Sequence, residues 1–136
     1  MHFKMDGKRI ILAAHRGDKK RFPENTLPAF EAAIKQRVDM IETDVHMTRD
    51  GALIIIHDRS LERTAGYEGF TNEVSLKEVK ALDAGAWFGE ELSAETRPTA
   101  IFSRKPTSGS PTNMKPFLLP CKNESKTVFV MKTVFP

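Results

Sequence analysis

A short apolar run, a cappable amphipathic helix and a second apolar run follow one another between Arg9 and Val45 with almost no linker between them. Arg9 to Ala14 reads Arg-Ile-Ile-Leu-Ala-Ala, a pattern that predicts a strand buried on both faces, as in a parallel sheet. Asn25 or Thr26 can cap the helix, with Pro28 in its first turn and Glu31 early in it. Leu27, Phe30 and Ile34 then share one face, while Glu31 and Lys35 form an i,i+4 pair on another. Val38 to Val45 supplies the second strand. Strand, helix, strand at this spacing is a βαβ unit, which requires parallel pairing and a right-handed crossover.

The second run carries groups suited to chemistry. Glu42 and Asp44 are two residues apart, so a strand places both carboxylates on one face, about 7 Å apart along the chain. Asp50-Gly51 marks a turn, after which Ala52 to Ile56 begins as a hairpin partner and ends at His57-Asp58. His15-Arg16-Gly17 closes the first run in the same manner. Both histidines are therefore expected at C-terminal strand ends, the rim where a parallel α/β barrel builds its active site.

Further on, Arg59 to Gly69 reads as a loop. Ser75-Leu-Lys-Glu78 is a capping-box sequence, and Val79 and Leu82 continue an apolar face toward a stop near Gly85. From Ala100 the pattern is lost. Five of the eight prolines fall in the last 37 residues, and only Thr127 to Phe135 is again β-prone. Charge changes at the same point, from −2 over residues 1–99 to +5 over residues 100–136. A basic tail on a near-neutral body is weak evidence for nucleic acid, and the expectation is a solvated, irregular tail with no nucleic-acid partner.

The 136 residues suffice for one modest domain, and 40% apolar content excludes a disordered chain. Cys121 is the only cysteine, so an internal disulfide is excluded and a reducing compartment is acceptable. Residues 1–8 lack the apolar core of a secretory signal, and no run approaches the roughly 20 residues that cross a bilayer. These features predict a soluble, cytoplasmic protein.

Histidine divides acid and base work near neutral pH, and arginine grips phosphate through two parallel hydrogen bonds. Glu42 and Asp44 offer hard oxygen ligands for Ca²⁺ or Mg²⁺. Each residue also has a plainer reading. A histidine at a strand end is often structural, and the carboxylates could face solvent on an edge strand. Their apolar neighbours Met40, Ile41 and Val45 argue for burial, where a cation would offset the cost of unpaired charge. His46 reads as structural. Asp58 either orients His57, coordinates water or starts the loop, and Trp87 and Phe88 read as core or pocket wall.

Taken together, His15-Arg16-Gly17, Pro23-Glu24-Asn25-Thr26, Glu42-Thr-Asp44-Val, Asp50-Gly51 and His57-Asp58 resemble the glycerophosphodiester phosphodiesterase family, in this order and at these distances. Arg63-Thr64, Leu82 to Phe88 and Pro98-Thr99 extend the likeness, which covers roughly residues 9–99. The resemblance implies a TIM (β/α)8 barrel that hydrolyses glycerophosphodiesters to glycerol 3-phosphate and an alcohol with a divalent metal. On its pattern Glu42 and Asp44 bind the metal with Glu24 close by at the same rim. His15 and His57 serve as general base and general acid, and Arg16 holds the substrate phosphate.

A whole barrel of this kind takes about 250 residues. The expectation is therefore an incomplete, N-terminal portion of the barrel over residues 1–99, followed by an unmatched basic tail over 100–136 that derives from a shifted reading frame. The family's further strands, one bearing another metal carboxylate, find no match in the tail, where Glu124 is the only acid. Three readings follow: a phosphodiesterase whose barrel a partner completes, an inactive fragment that keeps weak metal or phosphate binding, or a small interaction module. Exposed sheet edges would favour self-association.

Overall fold

The structure, a computed structural model, describes residues 4–5, 8–89, 100–102 and 128–133. Two-residue strands β1 (Lys4–Met5) and β2 (Lys8–Arg9) pair antiparallel at the start. The core then opens as the sequence predicts. Strand β3 (Ala13–His15) lies parallel to β4 (Met40–Met47), with His15 opposite Glu42, and α1 (Leu27–Lys35) connects them.

The apolar run before β3 is not buried on both faces. Ile10, Ile11 and Leu12 are exposed, and the strand begins only at Ala13. The Asp39 carboxylate takes the Leu12 N–H at 3.0 Å, ending the ladder there. Among the described residues β4 is the one strand paired with β3.

Thr26 occupies the cap position of α1, but its hydroxyl turns back and donates to the Pro23 carbonyl at 2.6 Å. Of the expected stripe, Phe30 is buried and Ile34 packs against the core, but the buried face is shifted toward the alanines. Ala29, Phe30, Ala32 and Ala33 face inward, whereas Leu27 is 56% exposed. Phe30 and Ala33 pack on Ile41 and Ile55, with Ala14, Ile34 and Val38 around them. Each such large buried side chain contributes about 2 kcal/mol. Because α1 covers the Ile41 face of β4, pleat alternation turns Glu42 and Asp44 to the other face.

Beyond Met47 the chain makes a tight turn. Gly51 takes φ +80°, its N–H donates to the Thr48 carbonyl, and the Thr48 hydroxyl donates to Asp50 Oδ1. Strand β5 (Leu53–Ile55) then returns antiparallel to β4. Ile55 belongs to the cluster under α1. Ile54 and Ile56 point the other way, into a second cluster with Leu61, Val74 and Val79.

Residues 59–69, expected as a loop, include a single turn of helix, α2 (Glu62–Ala65), closed by Gly66 in the left-handed conformation. The expected capping box is present on α3 (Leu76–Ala81): Ser75 Oγ accepts from the Glu78 N–H and Glu78 Oε2 from the Ser75 N–H. The helix stops at Ala81, before Gly85.

Two tail segments are strands, one of them within the β-prone Thr127 to Phe135 and the other in the stretch expected to be irregular. β6 (Ala100–Phe102) pairs antiparallel with β5, and β7 (Val128–Thr133) runs parallel to β4 from Met40 to Val45. The five strands form one mixed sheet, the beginning of an α/β layer and not a closed barrel.

Candidate active site

The site is built where two strands meet head to head. Along a strand, carbonyl direction repeats every second residue, so those of Glu42 and Asp44 point to the same edge of β4. Arg16 N–H donates to the first at 2.8 Å and Ile56 N–H to the second at 3.0 Å. β3 therefore climbs this edge while β5 descends it, and their ends face one another beside the carboxylates. His57 was expected at the C-terminal end of a hairpin partner of β4, at the same rim as His15, and β5 is that antiparallel partner. The hairpin thereby returns His57 to the mouth where β3 ends.

At the end of β3 the backbone turns sharply. Arg16 holds φ +65°, a conformation that costs a non-glycine residue about 1–2 kcal/mol, and the Asn25 N–H fixes it by donating to the Arg16 carbonyl at 3.0 Å. Gly17 follows at φ +85°, where a Cβ would lie 2.8 Å from that of Ala29.

Six side chains then form one series. His57 Nδ1 lies 2.6 Å from Asp58 Oδ1, and Asp58 Oδ2 accepts from Arg63 Nε. Arg63 Nη2 donates to Glu24 Oε1 at 2.7 Å, and the same oxygen faces Arg16 Nη1 at 3.3 Å. Arg16 Nε faces Asp44 Oδ2 at 3.5 Å. Beside the series, His15 Nε2 lies 3.5 Å from Glu42 Oε2, and Lys19 Nζ lies 3.3 Å from His15 Nδ1. Thus His15, Arg16, Glu24, Glu42, Asp44 and His57, the residues singled out in the sequence, gather at one end of the sheet. Asp58 contacts the His57 ring directly.

The charges are mutually stabilised. Burial works against the charge of Glu24, but the hydrogen bond and charge of Arg63 and the charge of Arg16 outweigh it, holding the carboxyl below its ordinary range. Asp58 is lowered chiefly by the Arg63 hydrogen bond, against some desolvation, and further by His57. Arg63 is raised in turn by its bonds to Asp58 and Glu24.

Two residues were not recognised as part of the site. Arg63 stood in the sequence only as part of a motif. Its guanidinium lies under the Trp87 ring, 5.8 Å from the centroid, and Trp87 is 42% exposed, so that ring is wall and not core. His46 was read as structural on the face away from His57. Its parity is that of Asp44, and its Nε2 donates to the His57 carbonyl at 3.0 Å. It is buried, and it anchors the loop at His57, which is a structural role.

Glu42 Oε2 and Asp44 Oδ2 are buried without a hydrogen bond, as is Arg16 Nε. The 3.5 Å approaches of His15 and Arg16 are charge contacts too poorly formed to satisfy these oxygens. Two orphaned hard oxygens on one strand fit a divalent cation in kind. Among the described residues no three His, Cys, Asp or Glu side chains converge into a fuller ligand set. No helix among them is long and apolar enough to cross a membrane.

Parallel βαβ connectivity, with paired carboxylates, a guanidinium and two imidazoles at one sheet end, defines a partial α/β fold with a candidate active site at its rim. The model of the glycerophosphoryl diester phosphodiesterase family matches residues 15–119, and the chain belongs to that family. It is 47% identical over 91 residues to a glycerophosphodiester phosphodiesterase of Caldanaerobacter subterraneus, covering 67% of this chain and 37% of that protein. Against the Bacillus subtilis glycerophosphodiester phosphodiesterase the identity is 40% over 99 residues, or 73% and 34% of the two chains. The glycerophosphodiester phosphodiesterase structure from Agrobacterium tumefaciens superposes with a TM-score of 0.64 at 35% identity, covering 67% of this chain and 39% of that one. An Oleispira antarctica phosphodiesterase, solved with its product sn-glycerol-3-phosphate, gives 0.63 at 39% identity over 68% and 37%. The chain thus spans little more than a third of the length of these relatives.

Proposed function

We propose that this site hydrolyses glycerophosphodiesters to glycerol 3-phosphate and an alcohol, with Ca²⁺ or Mg²⁺ as cofactor. The observation that supports it best is the meeting of the β3 and β5 ends at Glu42 and Asp44, which gathers both imidazoles, Arg16 and the carboxylates at one mouth. The product-bound Oleispira antarctica relative supports the substrate class. Glu42 and Asp44, with Glu24 near, would hold the cation, which when bound neutralises phosphodiester charge as a Lewis acid.

The chain's own groups do the rest. Arg16, steadied by Glu24 and Asp44, binds the phosphate oxygens. His15 and His57 act as general base and general acid, one taking the proton from the nucleophile and the other returning one to the leaving alkoxide. Asp58, accepting from Nδ1–H, leaves Nε2 of His57 as the nitrogen that exchanges protons and stabilises the imidazolium. The lone Cys121 suits a cytoplasmic setting for this chemistry.

A second reading, a cation- and phosphate-binding fragment without turnover, is favoured by the two-carboxylate donor set and by the share of the relatives' length that the chain spans. We place its domain boundary near residue 99 and derive residues 100–136 from another reading frame; translating the coding DNA in the other frames tests this. Exposure of Ile10 to Leu12 beside β3 supports self-association there. Release of glycerol 3-phosphate from glycerophosphocholine, with and without Ca²⁺ or Mg²⁺, decides between turnover and binding alone. Cation-dependent release that disappears in His15→Ala and His57→Ala supports the hydrolase, and no release from the wild-type chain rejects it.

A further inference from the structure

Arg63 occupies the position that joins the two halves of the site. Without it, His57 and Asp58 have no side-chain link to Glu24, Arg16 and Asp44 among the contacts described above. We propose that Arg63 is a positioning residue for His57: by bridging Glu24 and Asp58 it fixes the Asp58 carboxylate on Nδ1 and so determines which ring nitrogen exchanges protons.

The oxygens of Asp58 are divided between two partners. Arg63 Nε takes Oδ2, and this leaves Oδ1 facing His57 Nδ1 at 2.6 Å. Asp58 directly follows His57 on a partly exposed loop, so its carboxylate has little else to hold its rotation. Arg63 itself is anchored at its far edge, where Nη2 meets Glu24 Oε1. Glu24 is an immobile post, its side chain 9% exposed and also gripped by Arg16. The backbone of α2 is held down by Leu61, fully buried, and by Thr64. Trp87 covers the guanidinium. A planar fork with donors on two edges can span both carboxylates at once; a lysine ammonium reaches one.

A purely structural role, tying residues 58–66 to the sheet, would leave the His57 ring indifferent to Arg63 as long as the fold survives. The two roles part at the imidazole tautomer. The full chain is labelled with ¹⁵N at its histidine rings, and Nδ1 and Nε2 are followed by NMR at a pH where the rings are neutral. His57 of the wild type is expected to hold its proton on Nδ1. Arg63→Met is expected to turn it into an exchanging mixture of both forms. The His46 ring, whose Nε2 donates to the His57 carbonyl, keeps its single form and shows that the fold is intact. Arg63→Lys is expected to behave as Arg63→Met does, and provides the reading should the methionine variant not fold.

Retention of the wild-type His57 tautomer in the folded variant overturns the proposal. For its catalytic meaning the inference rests on the hydrolytic reading, but the ring signals need no substrate. A tautomer change in a chain that releases no glycerol 3-phosphate sustains the positioning role and removes the hydrolase; activity with an unmoved tautomer does the reverse.

Discussion

Arg16 Nε and Asp44 Oδ2 lie 3.5 Å apart in a buried setting, and neither atom has a hydrogen bond. With Glu42 Oε2 equally orphaned, β4 carries two hard oxygens whose desolvation is uncompensated. Millimolar Ca²⁺ or Mg²⁺ is therefore expected to raise the melting temperature, by about 2.7 kcal/mol of stability at a hundredfold excess over Kd. The double variant Glu42→Gln/Asp44→Asn is expected to lose that response. Calorimetry of both proteins with and without cation measures it, and an equal rise in the variant places the ion elsewhere.

Gly17→Ala tests the turn behind Arg16. The new methyl group would lie 2.8 Å from Ala29 Cβ and 2.9 Å from backbone atoms of α1, at a φ of +85°. Ala29 is fully buried and cannot retreat. A loss of about 2 kcal/mol or more is expected, visible as a lower urea midpoint. A wild-type midpoint would show that α1 shifts freely.

Acid should weaken the link between Arg63 and its carboxylates. The folded value of Asp58 is depressed, so its contribution is complete above the unfolded aspartate value of about 3.9 and is lost as pH falls through the lower folded value. Glu24 behaves in the same sense. The stability gap between wild type and Arg63→Met is thus expected to be widest near pH 7 and to narrow below pH about 4. Urea titrations across that range measure it, and a constant gap contradicts the assignment.

Ser75→Ala removes the cap of α3, whose hydroxyl accepts the Glu78 N–H. A six-residue helix has few hydrogen bonds of its own, so a loss of about 1 kcal/mol is expected by chemical denaturation. Glu78→Gln keeps a side-chain oxygen for the reciprocal bond and should cost less. Equal costs would mean that the carboxylate charge, also paired with Arg49, matters more than the box.

The sequence made legible what depends on local pattern. Hydrophobic periodicity marked β3, α1 and β4, the serine and glutamate three apart marked α3, and i,i+2 spacing put Glu42 and Asp44 on one face. What escaped depends on distant neighbours. Leu27 has the period of a core residue, but the helix rolls toward its alanines, so it stays in solvent. Ile10 to Leu12 reads as doubly buried because composition carries no information on whether a covering element is present. The four residues of α2 are too few for a helical period to show. Arg63 stands out in the sequence only through the Arg63-Thr64 motif, and its role in the site shows only once Glu24 is brought to it from 39 positions away. The Asp50-Gly51 turn made the hairpin legible, but the meeting of the β3 and β5 ends at one edge of β4 was not, because it depends on how β3 and β5 share that edge.

Where β7 lies has a consequence for completing the barrel. β3 and β5 fill one edge of β4, and β7 runs along the opposite edge from Met40 to Val45. A strand that continued the barrel from β4 would need that same edge. Reconstitution in trans would then be an exchange reaction: the incoming fragment must first strip away residues 128–133, and its apparent affinity would be lowered by however strongly they hold.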